Sequence, residues 1–134
     1  MTKPKPEIRP TDLSRPFWDG VAERRLLLQY DPAAQRYQFY PRPLSLFSDG
    51  RALEWRPASG RGTLVAQTLC HSPAPGFEEE VPYMLGLVRL EEGPRIFARI
   101  VNAEYGALAI GRAMRLVWDE TRADRLLYQF EPVP

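Results

Sequence analysis

Residues 59–71 read SGRGTLVAQTLCH, in which two glycines precede a long run with the composition of a β-strand. Gly60 and Gly62 form a hinge where the chain can bend sharply. Turn residues separate this run from later segments of the same type, and the pattern predicts strands at 63–71, 83–90, 95–101, 114–119 and 126–130. A short apolar insert at 107–110 lies between the third and fourth of them. This plan is typical of a five-stranded, partly open Greek-key barrel of the OB type.

The predicted strand at 83–90 is apolar on both of its faces. Met84 and Val88 alternate with Leu85 and Leu87, and successive side chains of a strand point to opposite faces. A strand of this kind is covered on two sides in the folded protein. One cover is the core of the barrel. The other is either the amino-terminal part of the chain or a partner chain, and the sequence leaves both alternatives open.

A helix is predicted before the barrel. Ser14 is a good N-cap, and Pro16 is tolerated in the first helical turn. Phe17, Trp18 and Val21 then form an apolar face, which predicts a helix that ends near residue 24. Short strands follow at 26–30 and 37–40, and these two suggest a small hairpin lobe. A further short strand is predicted at 53–56, after the turn residues at 48–50.

The predicted organisation is therefore mainly β, with three parts. They are an amino-terminal extension at 1–13, a helix with a small hairpin lobe at 14–57, and an OB-fold domain at 58–134. With 134 residues, the chain has room for one compact domain, or for one domain with a small lobe, and not for two full-sized domains.

The composition excludes several classes of protein. Eighteen basic and seventeen acidic side chains leave a net charge of +1, so no overall field draws the chain to nucleic acid or to an anionic membrane. The longest apolar runs fall far short of the ~18 residues of a membrane-spanning helix. A single cysteine cannot form an internal disulfide, and residues 1–6 lack the apolar core of a signal peptide. The cytoplasm is therefore the expected compartment.

Six short motifs occur in a characteristic order along nearly the whole chain. They are FWDG at 17–20, QFYPRP at 38–43, LEW at 53–55, SGRGT at 59–63, PY at 82–83 and EGP at 92–94. This order and spacing resembles the family called domain of unknown function 35 (DUF35). Members of that family have a rubredoxin-like zinc ribbon fused to an OB-fold, and they are associated with acyl-CoA chemistry.

The resemblance implies that the hairpin lobe at 14–57 is a degenerate, zinc-ribbon-like lobe, because the zinc ligands of that family are missing here. The family normally carries two Cys-x-x-Cys pairs, and the resemblance places them at Asp31, Ala34, Ser45 and Ser48. Alanine offers no ligand and neutral serine hydroxyls are poor ligands for zinc, so zinc is expected to be absent. A structural zinc contributes on the order of 10 kcal/mol to a small lobe. Large side chains, packed against the barrel or covered by a partner, are the expected substitute: Tyr30, Tyr37, Phe39, Tyr40, Leu44, Leu46 and Phe47.

The resemblance implies an accessory subunit rather than an enzyme. Proteins of the family bind thiolase-fold enzymes that act on acyl-CoA, and the nucleophilic cysteine belongs to the partner. The implied role is to help the complex assemble and to shape the passage for the acyl-CoA. Arg42 and Arg61 are the candidates for contacts with the CoA phosphates, because guanidinium groups bind phosphate bidentately. The candidate residues of the partner interface are Phe17, Trp18, Phe39, Tyr40, Phe47, His71 and Tyr83.

The sequence offers no self-sufficient catalytic site. Cys70 and His71 are neighbours in a predicted strand, so their side chains project to opposite faces and cannot work as a nucleophile and its base. No other histidine exists, and no G-x-S-x-G elbow is present. Gly60-Arg61-Gly62 precedes a strand rather than a helix, which favours a hinge over a phosphate-binding loop.

Three other functions remain open. The first is a stand-alone protein that binds CoA or an acyl group. The second is an OB module for single-stranded nucleic acid, in which Trp55, Phe97 and Trp118 stack on bases, although such binding normally adds a basic groove. The third is a direct contribution of Arg42, Arg61 or His71 to the active site of the partner.

Overall fold

A computed structural model describes residues 3–50, 52–121 and 126–134, and in these residues the chain forms one helix and eight strands. The elements are α1 Arg15–Ala22, β1 Leu27–Asp31, β2 Arg36–Gln38, β3 Glu54–Pro57, β4 Arg61–Cys70, β5 Tyr83–Leu90, β6 Arg95–Ile100, β7 Ala113–Asp119 and β8 Leu127–Pro132. Strands β1 to β3 form a small antiparallel sheet in the order β2-β1-β3, which we call the amino-terminal sheet. Strands β4 to β8 form a closed barrel in the order β4-β5-β6-β8-β7.

The predicted fold class is confirmed. The five barrel strands begin and end within two residues of the predicted limits, and β5 matches them at both ends. Most neighbours in the barrel are antiparallel, whereas β6 and β8 are parallel and pair through Ile100 and Phe130. This mixed, closed arrangement of five strands is that of an OB barrel. No helix among the described residues is long and apolar enough to cross a membrane.

One face of β5 packs into the barrel core. Met84 and Val88 are at most 5% exposed. On the neighbouring strand, a Cβ added to Gly62 would lie 2.4 Å from the carbonyl oxygen of Arg89, so only glycine lets β4 approach β5 this closely. Gly60 has a φ of +83°, a conformation that favours glycine. The two glycines of the predicted hinge are therefore needed for different reasons. Gly62 allows two strands to approach closely, and Gly60 adopts a positive φ.

Helix α1 is confirmed, and Ser14 occupies its N-cap position as predicted. Phe17 and Val21 are fully buried, and the helix ends at Ala22. Ser14 precedes the helix, but its hydroxyl makes no capping hydrogen bond to it. Instead, the hydroxyl oxygen accepts a hydrogen bond from the backbone N–H of Thr11 at 2.9 Å. The serine thus fixes the segment that enters the helix rather than the helix itself.

An aromatic junction connects helix α1, the loop after β2 and strand β8. It consists of Phe17, Trp18, Phe39, Tyr40 and Tyr128. The ring centroid of Phe17 lies 5.0 Å from that of Trp18, and Phe39 and Tyr128 lie 5.5 Å and 5.8 Å from Phe17. Burial, with a smaller contribution from Tyr40, raises the pKa of Tyr128 to about 12. The amino-terminal sheet and the barrel therefore share one apolar core.

Candidate functional site

The carboxylate of Asp31, at the end of β1, is the centre of a hydrogen-bonded cluster that we call the Asp31 clasp. The side chain is 1% exposed. One carboxylate oxygen accepts hydrogen bonds from the backbone N–H groups of Ala33 and Ala34 at 2.8 Å and 3.2 Å. The other accepts hydrogen bonds from the hydroxyls of Ser45 and Ser48, the latter at 2.5 Å. All four positions that correspond to the family's cysteines therefore meet at one carboxylate.

These hydrogen bonds act on the charge of Asp31. The bonds from Ser45 and then Ser48 lower its pKa from 3.8 to about 2, and the two backbone N–H groups lower it further against the opposing effect of burial. Asp31 is therefore ionised at neutral pH, and its charge is held by four donors. The clasp links β1 to the loop that carries both serines.

The donors of the clasp do not fit zinc. One carboxylate and two neutral hydroxyls lack the thiolate and imidazole groups that structural zinc sites use. Within residues 3–50, 52–121 and 126–134, no group of three His, Cys, Asp or Glu side chains is placed to hold a metal ion. The absence of zinc from the protein itself stays a prediction.

The side chains that were expected to replace the metal behave in two ways. Tyr37 and Phe39 pack against the core as expected. Leu44 and Leu46 are 48% and 55% exposed, so for these two the other expected alternative, cover by a partner, stays a prediction. The polar Asp31 clasp is a further linkage at this position, which the sequence analysis did not predict.

Three exposed apolar side chains lie within seven residues of the loop after β2. Tyr40, Leu44 and Leu46 are 41%, 48% and 55% exposed, and we call them the 40–46 patch. Single exposed apolar residues are ordinary, whereas a cluster of large ones marks an interaction surface. Exposed apolar side chains of this size suit a protein partner.

Two buried glutamines hold this loop in place. The side-chain oxygen of Gln29 accepts a hydrogen bond from the backbone N–H of Arg42 at 2.8 Å, and its amide N–H donates to the Arg42 carbonyl oxygen at 2.9 Å. Gln38 pairs with Gln29 at 2.8 Å and accepts from the backbone N–H of Leu46 at 2.9 Å. Sequence reasoning missed both glutamines. Their positions could have indicated this pairing, because Gln29 and Gln38 lie on the two neighbouring strands of a short predicted hairpin.

The two arginines predicted to bind CoA lie on different elements. Arg42 is exposed in the loop after β2, and no ion pair engages its guanidinium within the part of the chain that the structure describes. Arg61 begins β4, and its guanidinium pairs with the carboxylate of Glu91 at 3.0 Å. Of the two, Arg42 therefore has the more available charge.

The residues predicted for the partner interface do not form one surface. Phe17 is fully buried at the centre of the aromatic junction, so the expectation that it contacts a partner is wrong. Trp18 and Phe39 are partly buried in the same junction, and Tyr40 belongs to the exposed 40–46 patch. Phe47 lies under the guanidinium of Arg36, at 3.9 Å from the ring centroid.

His71 and Tyr83 lie at the other end of the molecule, beside the loop that joins β4 to β5. His71 is exposed, directly after the last residue of β4. Cys70 is half-buried, and its thiol donates to the carbonyl oxygen of Ser72 at 3.3 Å. A hydrogen bond with Cys70, together with burial, raises the pKa of Tyr83. This geometry gives the thiol no general base.

The outer face of β5 and β6 carries solvent-accessible apolar side chains together with Arg89, Arg95 and Arg99. Phe97 is 57% exposed, and Leu85 and Leu87 are half-buried. The amino-terminal sheet therefore does not provide the second cover that β5 was expected to have, and a partner chain in that place stays a prediction. Beside Phe97 lies a cleft of about 200 Å³, the barrel cleft. Its lining combines apolar side chains, among them Phe77, Leu85 and Leu127, with the charged side chains of Arg99 and Asp119.

Known proteins resemble this chain over most of its length. A family model described as the C-terminal OB-fold domain of ChsH2 matches residues 55–119. A DUF35 domain-containing scaffold protein of Pyrococcus furiosus is 30% identical over 131 residues, which are 93% of this chain and 96% of that protein. The alpha subunit of 3-oxo-4,17-pregnadiene-20-carboxyl-CoA hydratase from Mycobacterium tuberculosis is 32% identical over 117 residues. That match includes 87% of this chain but 36% of the hydratase subunit.

Two solved structures resemble the fold described above. A chain of the Ltp2-ChsH2(DUF35) aldolase superposes with a TM-score of 0.83 at 27% identity, over 92% of this chain and 98% of that chain. A DUF35-family protein of unknown function from Sulfolobus solfataricus superposes with a TM-score of 0.64 at 10% identity. The second likeness concerns the fold alone.

Proposed function

Because this chain belongs to the DUF35 family, we propose that it is a non-catalytic accessory subunit of an enzyme that acts on acyl-CoA thioesters. The observation that carries the proposal is the similarity to a chain of the Ltp2-ChsH2(DUF35) aldolase over nearly the full length of both chains. The names of the relatives, a scaffold protein and a hydratase alpha subunit, also describe parts of assemblies. In this role the chain holds and orients a partner that performs the chemistry.

The partner that we propose has the thiolase fold and supplies the catalytic cysteine. The chemistry of the one cysteine here supports this division of labour. The thiol of Cys70 donates its hydrogen bond to the Ser72 carbonyl oxygen, which is not a base that could activate it. His71 projects into solvent from the next position and has no role in that hydrogen bond.

The 40–46 patch is the surface that we propose for docking on the enzyme. Its leucines are exposed, yet the loop that carries them is fixed by buried glutamines and by the Asp31 clasp. A surface that is already ordered loses little conformational entropy on binding, which favours affinity. Large apolar side chains that are exposed in the free protein also gain most from burial at an interface.

Replacing both Leu44 and Leu46 with serine is expected to weaken the complex with the enzyme at least about tenfold, because two large apolar contacts are lost. Stability should change by less than about 1 kcal/mol, since both side chains are exposed. The partner is first captured with the tagged full chain in the organism that encodes it and is identified by mass spectrometry. The dissociation constant is then measured by calorimetry with the purified enzyme.

Ile110→Ser is the matched control for this experiment. Ile110 is 62% exposed and lies in the insert between β6 and β7, away from the patch. Its replacement should change the affinity less than about twofold. The proposal fails if no acyl-CoA enzyme co-purifies in a fixed ratio, or if the control weakens the complex as much as the double substitution.

We further propose that Arg42 contacts a phosphate of the CoA where the two proteins meet. Its guanidinium is exposed, and its backbone is fixed on both sides by Gln29. A charge that is free in the unbound protein can form a bidentate contact without first breaking an ion pair. Arg61 would have to give up Glu91 to do the same.

A further inference from the structure

A groove of about 230 Å³ lies between the amino-terminal sheet and the turn that joins β5 to β6. Residues 35–39, which include the whole of β2, line it together with Leu46 and Phe47. Residues 92–94 of the turn line it from the barrel. We call it the β2 groove. It combines a continuous stretch of strand backbone with a tight turn of the neighbouring barrel.

Strand β2 is an edge strand. The amino-terminal sheet has the order β2-β1-β3, and among the described residues no strand pairs with the side of β2 that faces away from β1. The outward N–H and C=O groups of an edge strand are a template for a further strand. Recognition by strand addition uses these groups for affinity and neighbouring pockets for specificity. The three residues of β2 offer about 10 Å of edge, at about 3.3 Å per residue.

Strand β3 forms the other edge of the same sheet and is less suited to pairing. It ends at Pro57, which has no N–H group to donate. None of its residues lines the β2 groove, whereas β2 contains no proline and lines the groove along its whole length. Of the two edges, β2 is therefore the one that can accept another strand, and β3 serves as an internal comparison.

The walls of the β2 groove are ordered. The loop that carries Leu46 is fixed by the buried glutamines. The guanidinium of Arg36 lies over the ring of Phe47, at 3.9 Å from its centroid. In the turn of the barrel, the N–H of Gly93 donates to the carbonyl oxygen of Leu90 at 2.8 Å. A surface with fixed walls loses little conformational entropy when a ligand binds.

The carboxylate of Glu92, at the barrel wall, lacks one of its hydrogen-bond partners. One oxygen accepts a hydrogen bond from the backbone N–H of Ser59 at 2.8 Å. The other, Oε1, is buried and has no partner among the residues that the structure describes. Buried polar atoms nearly always have a partner, so this oxygen calls for a donor. A cationic side chain is the strongest donor for a carboxylate.

There is room for such a side chain beside Glu92. The residue as a whole is half-buried, so its carboxylate group borders open space. At the next position, a Cβ added to Gly93 would have no heavy atom within 4 Å apart from its two chain neighbours. The turn therefore leaves the approach to the carboxylate unobstructed.

The β2 groove is continuous with the surface that we propose for docking. Leu46 lines the groove and is also a member of the 40–46 patch. A protein that covers the patch therefore has the unpaired edge of β2 and the carboxylate of Glu92 within the same interface.

We propose that the β2 groove receives an extended segment of the partner enzyme, which adds a strand to the outer edge of β2 and places a lysine or arginine side chain on Glu92. The choice of the enzyme as the source of the segment rests on the proposed function. The unpaired edge, the groove and the unpartnered oxygen stand on the geometry alone. The 40–46 patch then supplies apolar contact, and the groove supplies selectivity for the sequence of the partner.

Hydrogen exchange of the full chain, measured alone and in the purified complex with its enzyme, tests the added strand. Backbone amides within residues 36–38 should exchange at least about tenfold more slowly in the complex, because pairing protects the outward N–H groups. One short continuous segment of the enzyme should gain protection as well. Residues 54–57 of β3 are the control and should change less than about twofold. Unchanged exchange at 36–38, or equal slowing at 54–57, would overturn the proposal.

Glu92→Gln isolates the charge in the groove. The variant keeps a side-chain oxygen for the N–H of Ser59, so the fold should be retained, and the complex should weaken about threefold to tenfold. Glu104→Gln removes the same charge from an exposed side chain between β6 and β7, and it should change the affinity less than about twofold. If both variants have the same effect, or neither has any, Glu92 does not receive a basic side chain.

A phage-displayed library of random peptides, selected on the immobilised full chain, is a probe that does not require the enzyme. The enriched peptides should contain lysine or arginine, and they should bind Glu92→Gln about threefold more weakly or worse. In the ¹⁵N-labelled natural chain, they should shift the NMR signals of residues 35–39. A selection that enriches no peptide, or only peptides that leave these signals unchanged, would reject the groove as a site for an extended segment.

The results distinguish this inference from the proposed function. Peptides that bind in the β2 groove, without capture of any acyl-CoA enzyme, would keep the strand site and reject the accessory role. Capture of the enzyme without protection of residues 36–38 would keep the accessory role and reject the strand site.

Discussion

Phe17→Ala is expected to lower the free energy of unfolding by about 3–5 kcal/mol, the usual cost of removing a fully buried phenylalanine ring. The ring lies at the centre of the aromatic junction, with Phe39 and Tyr128 at 5.5 Å and 5.8 Å. The cavity cannot close easily, because these neighbours belong to a loop and a strand that are held by separate sheets. Chemical denaturation monitored by tryptophan fluorescence measures the change.

Phe97→Ala is the control, since it removes the same ring from a position that is 57% exposed. It should lower the free energy of unfolding by less than about 1 kcal/mol. If the two substitutions have similar effects, Phe17 is not the core residue that joins the small sheet to the barrel. A further consequence is expected for Phe17→Ala in conditions where the chain remains folded. The complex with the partner should weaken, because the 40–46 patch is no longer held at a fixed angle to the barrel.

Asp31→Ala is expected to lower the melting temperature by about 10 °C or more. It leaves four donors without their acceptor: two backbone N–H groups and the hydroxyls of Ser45 and Ser48. Partly buried donors that lose their partner are costly, and here the loss also frees the loop from β1. Calorimetry measures the shift. Thr63→Ala, at an exposed position on β4, should change the melting temperature by less than about 2 °C.

The charge of Asp31 should also appear in the pH dependence of stability. Its pKa is about 2 in the folded protein against 3.8 in the ordinary state, so its contribution is complete above about pH 4. The contribution is lost as the pH falls from about 4 to 2. Over that interval the natural protein should lose more stability than Asp31→Asn, and below pH 2 the two curves should run parallel. Parallel curves across the whole range would contradict the low pKa.

Metal analysis provides an independent check of the clasp. The purified protein is expected to contain well under half an equivalent of zinc, and added chelator should leave the melting temperature unchanged. More than about half an equivalent of tightly held zinc would show that the hydrogen bonds of Asp31 are not what links β1 to the loop.

The barrel could be predicted because its signals are local. Strand β5 is bounded by proline and by a turn that contains glycine, and its two ends were predicted to the residue. Turn residues also flank strands β6 and β7. The order of the motifs indicated the family, and the family predicts how the strands are connected in the barrel. Such patterns predict the strand limits well because turn residues and alternating burial depend on residues only a few positions apart.

The Asp31 clasp escaped prediction for a different reason. Asp31, Ser45 and Ser48 were judged as ligands for a metal, and as ligands they are poor. The same convergence in space that brings four cysteines to one ion also brings a carboxylate to two hydroxyls. The sequence therefore allowed the inference that Asp31, Ser45 and Ser48 bond to one another. That inference is missed when these residues are considered only as ligands for zinc.

The error at Phe17 comes from contacts that are distant in the sequence. A Phe-Trp pair on a short helix has the same pattern whether it packs inward or meets a partner. The return of β8, which brings Tyr128 against Phe17, decides the matter.

The clasp is built only from carboxylate, hydroxyl and amide atoms. The clasp has no thiolate that peroxide could oxidise or that soft metals such as cadmium or mercury could bind. The linkage forms as soon as the polypeptide closes on itself, without a supply of trace elements or a dedicated metal donor. The linkage between β1 and the loop therefore does not depend on the redox conditions or on the metal supply of the cell.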